Sequence, residues 1–196
     1  MKNLTKTVVL VLAIAVVLTG CKQPTQLIND VKAAVETVTT AGADKYAPEE
    51  LKAINDDLTK ALDEVAAQDK KFFKKFGPAK EMLAAVQAKV AELTAALPAK
   101  IEAAKNAAIQ LQGEAKTALD ATAELLKKAP KGKGTAKDLE ALQGDLTGAQ
   151  TMFTEIQTAL DANDYIGAQD KAKTVKEKVA AIADQINAAI AKKGKK

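Results

Sequence analysis

The thiol and imidazole groups that most often serve as nucleophiles, bases or metal ligands are scarce in this 196-residue chain. His is absent, all 29 basic residues are Lys, and Cys occurs once, at position 21. One thiol and no imidazole exclude the usual Ser-His-Asp and Cys-His arrangements and any Cys/His zinc site. Catalysis would have to rest on carboxylates and Lys. The acids do fall in pairs, Glu49-Glu50, Asp56-Asp57 and Asp63-Glu64, but neighbours on an α-helix point about 100° apart and do not converge on one bond. They read as solvated helix faces. Asp161, Asn163 and Asp164 lack the sixth-position Gly and closing Glu of a calcium-binding hand. Lys131-Gly132-Lys133-Gly134 lacks the preceding strand and the Gly-Lys-Ser/Thr ending of a phosphate-cradling loop, and reads as a flexible basic linker. The expectation is no catalytic residue, no metal and no cofactor.

Cys21 has a more specific context. Lys2 and Lys6 precede an unbroken apolar run, Val8 to Leu18, which is the layout of an export signal. Eleven residues are too few for a mature membrane span, which needs roughly 20. The next residues, Leu18-Thr19-Gly20-Cys21, closely resemble the lipobox of bacterial lipoproteins. That resemblance implies removal of residues 1–20, a covalent lipid on Cys21 and attachment to the membrane through it. An ordinary export signal followed by a stray Cys is the alternative. Lys22, rather than Asp, then points by the same resemblance to the outer membrane, facing the periplasm.

The remaining 176 residues are rich in Ala (41 positions in the whole chain) and poor in aromatics (3%), with no Trp. Such a composition predicts an all-α fold with an alanine-lined core. Leu27, Val31, Ala34, Val35 and Val38 mark a first helix that ends before Gly42. Pro48 opens a second, because its fixed φ suits the first helical position, with Glu49 and Glu50 complementing the helix dipole. Its apolar face runs Leu51, Ile54, Leu58, Leu62, Val65 and on through Phe72, Phe73 and Phe76, with Gly77-Pro78 as its stop. From Leu83 a 3,4 spacing continues to Ala118, slipping by one residue at Pro98, which marks a kink or a boundary. Leu139, Leu142, Leu146, Ala149, Phe153, Ile156 and Leu160 form a heptad, and Val175, Val179, Ile182 and Ile186 continue it beyond the turn at Asn163-Asp164. The prediction is an elongated antiparallel bundle of five or six long helices with coiled-coil-like hairpins. Its organisation is a tether at 21–25, hairpins and an Ala-rich helix at 26–129, a basic linker at 130–135, a C-terminal hairpin at 136–193 and a basic tail at 194–196. Tyr46 and Tyr165, the only two tyrosines, each fall at a helix-helix turn, either as a faint duplication or simply as turn plugs.

The stretch Ala41-Gly42-Ala43-Asp44-Lys45-Tyr46-Ala47-Pro48-Glu49-Glu50-Leu51 resembles a helical domain of unknown function found in bacterial envelope lipoproteins, whose hallmark is an A-P-E-E-L helix start. In that family a G-D-Y-x-x-A turn follows soon after. Here the similar Asn163 to Ala168 lies more than a hundred residues on, which implies a large helical insertion. The same turn resembles half of a tetratricopeptide repeat, but no 34-residue period supports an array.

Charge narrows the partners. Lys127 to Lys137 and Lys192 to Lys196 hold nine Lys and no acid; without them the processed chain has 18 Lys against 25 acids. An acidic bundle with a basic linker and tail, lacking Arg, is not a nucleic-acid binder. Lys192, Lys193, Lys195 and Lys196 form a solvated end, a contact to anionic headgroups, or a contact to cell-wall carboxylates. A terminal Lys also resembles that of the murein lipoproteins, linked covalently to peptidoglycan, though length and heptad pattern differ. Gly144 and Gly148, inside the heptad helix, each cost about 1 kcal/mol against Ala, implying close packing on a neighbouring helix or a partner groove. Of Phe72, Phe73 and Phe76 one or two belong to the core, and a surplus ring among Lys70, Lys71, Lys74 and Lys75 would meet headgroups or a partner. The resulting expectation is a non-enzymatic envelope lipoprotein acting as a structural or adaptor element, with a protein or cell-wall partner and self-association through exposed heptads open. The alternative is a ligand-binding or chaperone-like module holding a hydrophobic ligand or an outer-membrane client.

Overall fold

A computed structural model describes residues 22–129 and 136–193. They fold as an all-α helical protein with no strand among the described residues: α1 (Thr25–Val38), α2 (Pro48–Asp69), α3 (Gly77–Lys128), α4 (Ala136–Asp161) and α5 (Tyr165–Lys193). The chain divides into two compact units, the first ending at Lys100 and the second starting at Ile101. The division therefore falls inside α3, within three residues of Pro98, where the slip in apolar spacing marked a kink or a boundary. The basic linker 130–135 lies outside the described residues.

Pro98 sits within α3 without ending it. A proline in a helix interior costs about 3 kcal/mol through the lost hydrogen bond and the ring's clash. Strong helix formers on both sides and buried residues before and after it offset that cost, with Leu93 and Leu97 on one side and Ala108 and Ala115 on the other. The slip in apolar register near Pro98 is where the packing changes hands. The backbone continues through it.

In the first unit α2 and the beginning of α3 run antiparallel, as two ion pairs show: Asp57 to Lys89 at 2.6 Å and Glu50 to Lys100 at 2.5 Å. Leu51, Ile54, Leu58 and Val65 of α2 are buried, as are Leu83, Val86, Val90 and Leu93 of α3, reproducing the predicted faces. Helix α1 contributes Val31, Val35 and Val38 to this core. Its start lies beside the end of α2, because Ile28 packs against the cluster of Val65, Phe76 and Ala79. Between α1 and α2 the backbone widens over Thr39–Ala43, where Gly42 adopts φ 103°. This left-handed conformation is the helix-ending role expected of it.

The second unit pairs α4 and α5 as an antiparallel hairpin, with Lys171 bridging to Glu155 at 2.5 Å. Leu142, Leu146, Ala149 and Ile156 are buried opposite Val175, Val179, Ile182 and Ile186. The heptad face is thus covered within the unit. The C-terminal part of α3 joins them: Gln169 donates to the Ala104 carbonyl at 2.8 Å, Lys176 pairs with Glu114, and Gln112 donates to Gln157 at 2.9 Å.

Candidate functional site

The connection between α2 and α3 is where the sequence reading and the fold differ most. Helix α2 ends at Asp69, and residues 70–76 form a loop. Gly77-Pro78 opens α3 instead of stopping α2. Two causes act together. Lys70, Lys71, Lys74 and Lys75 would repel one another at i,i+3 and i,i+4 spacing in a continued helix. Pro78 is also well placed in a first turn, where its missing N–H leaves nothing unpaired.

The loop is held at both ends. Gln68, itself buried, donates through Nε2 to Glu64 at 2.7 Å, accepts from the Lys75 N–H at 3.3 Å, and its carbonyl accepts from the Lys71 N–H at 3.1 Å. Lys74 reaches back to Asp69 at 2.6 Å. Phe76 is fully buried with Val65 and Ala79. One of the three rings is therefore core, and it anchors the loop.

The other two are not. Phe72 is 93% exposed and Phe73 78% exposed. Their rings pack on each other edge to face, centroids 5.0 Å apart and 86° between planes, a favourable aromatic geometry. Consecutive residues cannot share a helix face with a 3.6-residue period. Their adjacency was the signal that they could not both continue the α2 stripe.

Other candidate residues fall elsewhere. Cys21 lies outside the described residues. Lys22 is exposed, Pro24 is buried, and Thr25 begins α1. Gly144 and Gly148 are exposed, and a Cβ built on either meets nothing within 4 Å. The close packing expected of them is thus overturned: among the described residues no neighbouring helix approaches their backbone. Lys192 and Lys193 fall at the end of α5, whereas Lys195 and Lys196 lie outside the described residues. The paired acids diverge to different partners, Asp56 to Lys52 and Asp57 to Lys60 and Lys89. Lys60 and then Lys89 hold the half-buried Asp57 carboxyl down at about 2. The Asp161 to Asp164 acceptors are occupied locally: Gln157 donates to Asp161, Tyr165 to Asn163, and the Gly167 N–H to Asp164.

Among the described residues, no group of three or more acidic side chains could hold a metal ion, and no buried side-chain polar atom lacks a partner. Nor is any described helix long and apolar enough to cross a membrane. A trough of about 330 Å³ lies between α2 and α3, floored by Ala53, Ile54, Leu93 and Ala96 and bridged by the Glu50–Lys100 pair. It is open to solvent and offers no buried polar group. Compared with protein-family models, curated proteins and solved structures, the chain matches none.

Proposed function

We propose that this chain is a lipid-anchored helical protein of the bacterial cell envelope, a non-enzymatic structural or adaptor element held by a lipid on Cys21. By the same reading it stands on the periplasmic face of the outer membrane. One observation carries the proposal: Lys2 and Lys6, the apolar run Val8 to Leu18, and Leu18-Thr19-Gly20-Cys21 follow in the order that export and lipidation require, with no other Cys in the chain. The A-P-E-E-L helix start at Ala47 to Leu51, similar to that of envelope lipoproteins, supports it. Two or more acyl chains are needed for firm anchoring, each buried methylene contributing about 0.8 kcal/mol.

The test is metabolic labelling of growing cells with an alkyne fatty acid, comparing the natural chain with Cys21→Ala. The natural chain should carry the label and fractionate with membranes. The variant should be unlabelled and retain residues 1–20. A label that persists in Cys21→Ala, or a natural chain cut elsewhere and unlabelled, overturns the reading.

A further inference from the structure

The α2–α3 loop presents a surface that the proposed anchor alone does not explain. Residues 70–75 read Lys-Lys-Phe-Phe-Lys-Lys, with two lysines on either side of the exposed aromatic pair. Among the described residues Lys70, Lys71 and Lys75 enter no ion pair, and Lys74 alone is matched, to Asp69. Beyond their contact with each other, two rings of about 150–250 Å² each left in water contribute no burial free energy to the fold. Phe76, three residues on, shows that the same loop can bury a ring when the core needs one.

Position supplies the second observation. Ile28, near the start of α1, packs on the cluster that contains Phe76. The chain therefore enters the first unit at the end that carries the Phe72–Phe73 loop. Pro24 is already buried, so only Lys22 and Gln23 separate Cys21 from packed structure, and the three Cα–Cα steps give a covalent reach of about 11 Å. Lys22 is exposed at the same entry.

We propose that the Phe72–Phe73 loop is a second membrane contact, in which the two rings enter the interface of an anionic lipid bilayer while Lys70, Lys71, Lys74 and Lys75 lie among its headgroups. The proposal rests on the lipid-anchor reading, since the anchor brings this end of the unit to the bilayer. Phe is among the apolar residues that membrane-surface segments bury about 5–10 Å into the boundary between headgroups and acyl chains. Lys stems extend along apolar surface and keep their ammonium in the headgroup layer. Each Lys near an anionic surface adds about a five-fold gain in partitioning. A lipid alone is a swivel. An anchor plus a rigid loop at the same end of a helical unit fixes which end faces the membrane.

The absence of Trp provides a clean reporter. The full lipidated protein is reconstituted into vesicles of phosphatidylethanolamine and phosphatidylglycerol, some carrying brominated acyl chains, as Phe72→Trp or as Thr40→Trp. Thr40 is exposed at the other end of α1. The indole of Phe72→Trp should shift to the blue and be quenched by the bromines, and that of Thr40→Trp should do neither. Replacing Lys70 and Lys71 by Gln in the Phe72→Trp protein should lower the quenching, as should vesicles of phosphatidylcholine alone. An unquenched Phe72→Trp indole on anchored protein overturns the proposal, as does equal quenching at both positions. The mass of the N-terminal peptide reports the lipid separately. If Cys21 carries none, the anchor reading fails, and the loop is judged by co-sedimentation of the same protein with anionic vesicles. Binding lost in Phe72→Ser with Phe73→Ser then sustains the membrane contact; no binding, or binding indifferent to those changes, overturns it. A protein groove as the true occupant would appear as unquenched indole together with a specific crosslink from the loop.

Discussion

Two helix-helix connections in this protein solve the same geometric problem with opposite uses of their aromatic residues. At 162–167 the backbone of Asp164 donates to the Ala159 carbonyl and that of Asn163 to Leu160, while Asn163 sits at φ 57°, which together form a Schellman-type helix end. Tyr165 is 8% exposed and its hydroxyl donates to Asn163 Oδ1 at 2.7 Å. Asp164 caps α5 through the Gly167 N–H. Those bonds close the turn on itself. At 70–76 the backbone is tied down equally well by Gln68 and Phe76, yet Phe72 and Phe73 stand in water among lysines. Sealing a hairpin needs one buried ring. The two at the tip take no part in that seal.

That contrast can be broken most decisively by truncating rings one at a time and measuring denaturant unfolding. Phe76→Ala removes a fully buried side chain and should cost about 3–5 kcal/mol. Phe72→Ala and Phe73→Ala should stay within about 0.5 kcal/mol of the natural protein. A large loss at Phe72 would mean that its ring serves the fold, and the comparison would fail.

A smaller effect sharpens the other side. A Cβ on Gly167 would stand 2.2 Å from Asp164 Oδ2, so Gly167→Ala must displace the cap of α5, at a cost of about 0.5–2 kcal/mol. Gly144→Ala, where the Cβ meets open space, should instead stabilise α4 by up to about 1 kcal/mol. Thermal melts of the two variants should move in opposite directions. A loss of stability in Gly144→Ala would reveal a close approach at that face.

The smallest effect expected is electrostatic. Lys60 and Lys89 hold Asp57 below its ordinary value of 3.8, at about 2. A depressed folded-state value means that the contribution is present above the unfolded value and is lost as pH falls from about 4 through 2. Asp57→Asn should therefore lower stability slightly at neutral pH, where the contribution is present, and flatten the acid limb in that window so that the two proteins converge near pH 2; the effect is small because both lysines are exposed and solvent screens the pairs. A difference that persists undiminished below pH 2 would assign Asp57 a different role.

How much of this was legible beforehand differs by residue. The faces of α1, α2 and the α4–α5 hairpin followed from 3,4 spacing, since burying one stripe is what makes an amphipathic segment helical. Gly42 and Pro48 marked their boundaries because each backbone preference is local. The fate of Phe72, Phe73 and Phe76 was open because apolar character does not say which ring finds a cavity. Periodicity favours a continued stripe only until charge repulsion and Pro78 end the helix. Gly144 and Gly148 misled for a related reason: small residues allow close approach without requiring a neighbour to make it.

The amino-acid sequence by itself determined the helical class, the order of the helices and the lipobox-like segment ending at Cys21, because all three depend on short-range covalent and hydrophobic patterns. Only the tertiary structure decided that the packing changes units inside α3 while the helix runs through Pro98, and that the start of α1 and the Phe72–Phe73 loop share one end of the first unit. Both depend on which distant faces meet. Such long-range choices are settled by the free energy of packing, which no local window of residues contains.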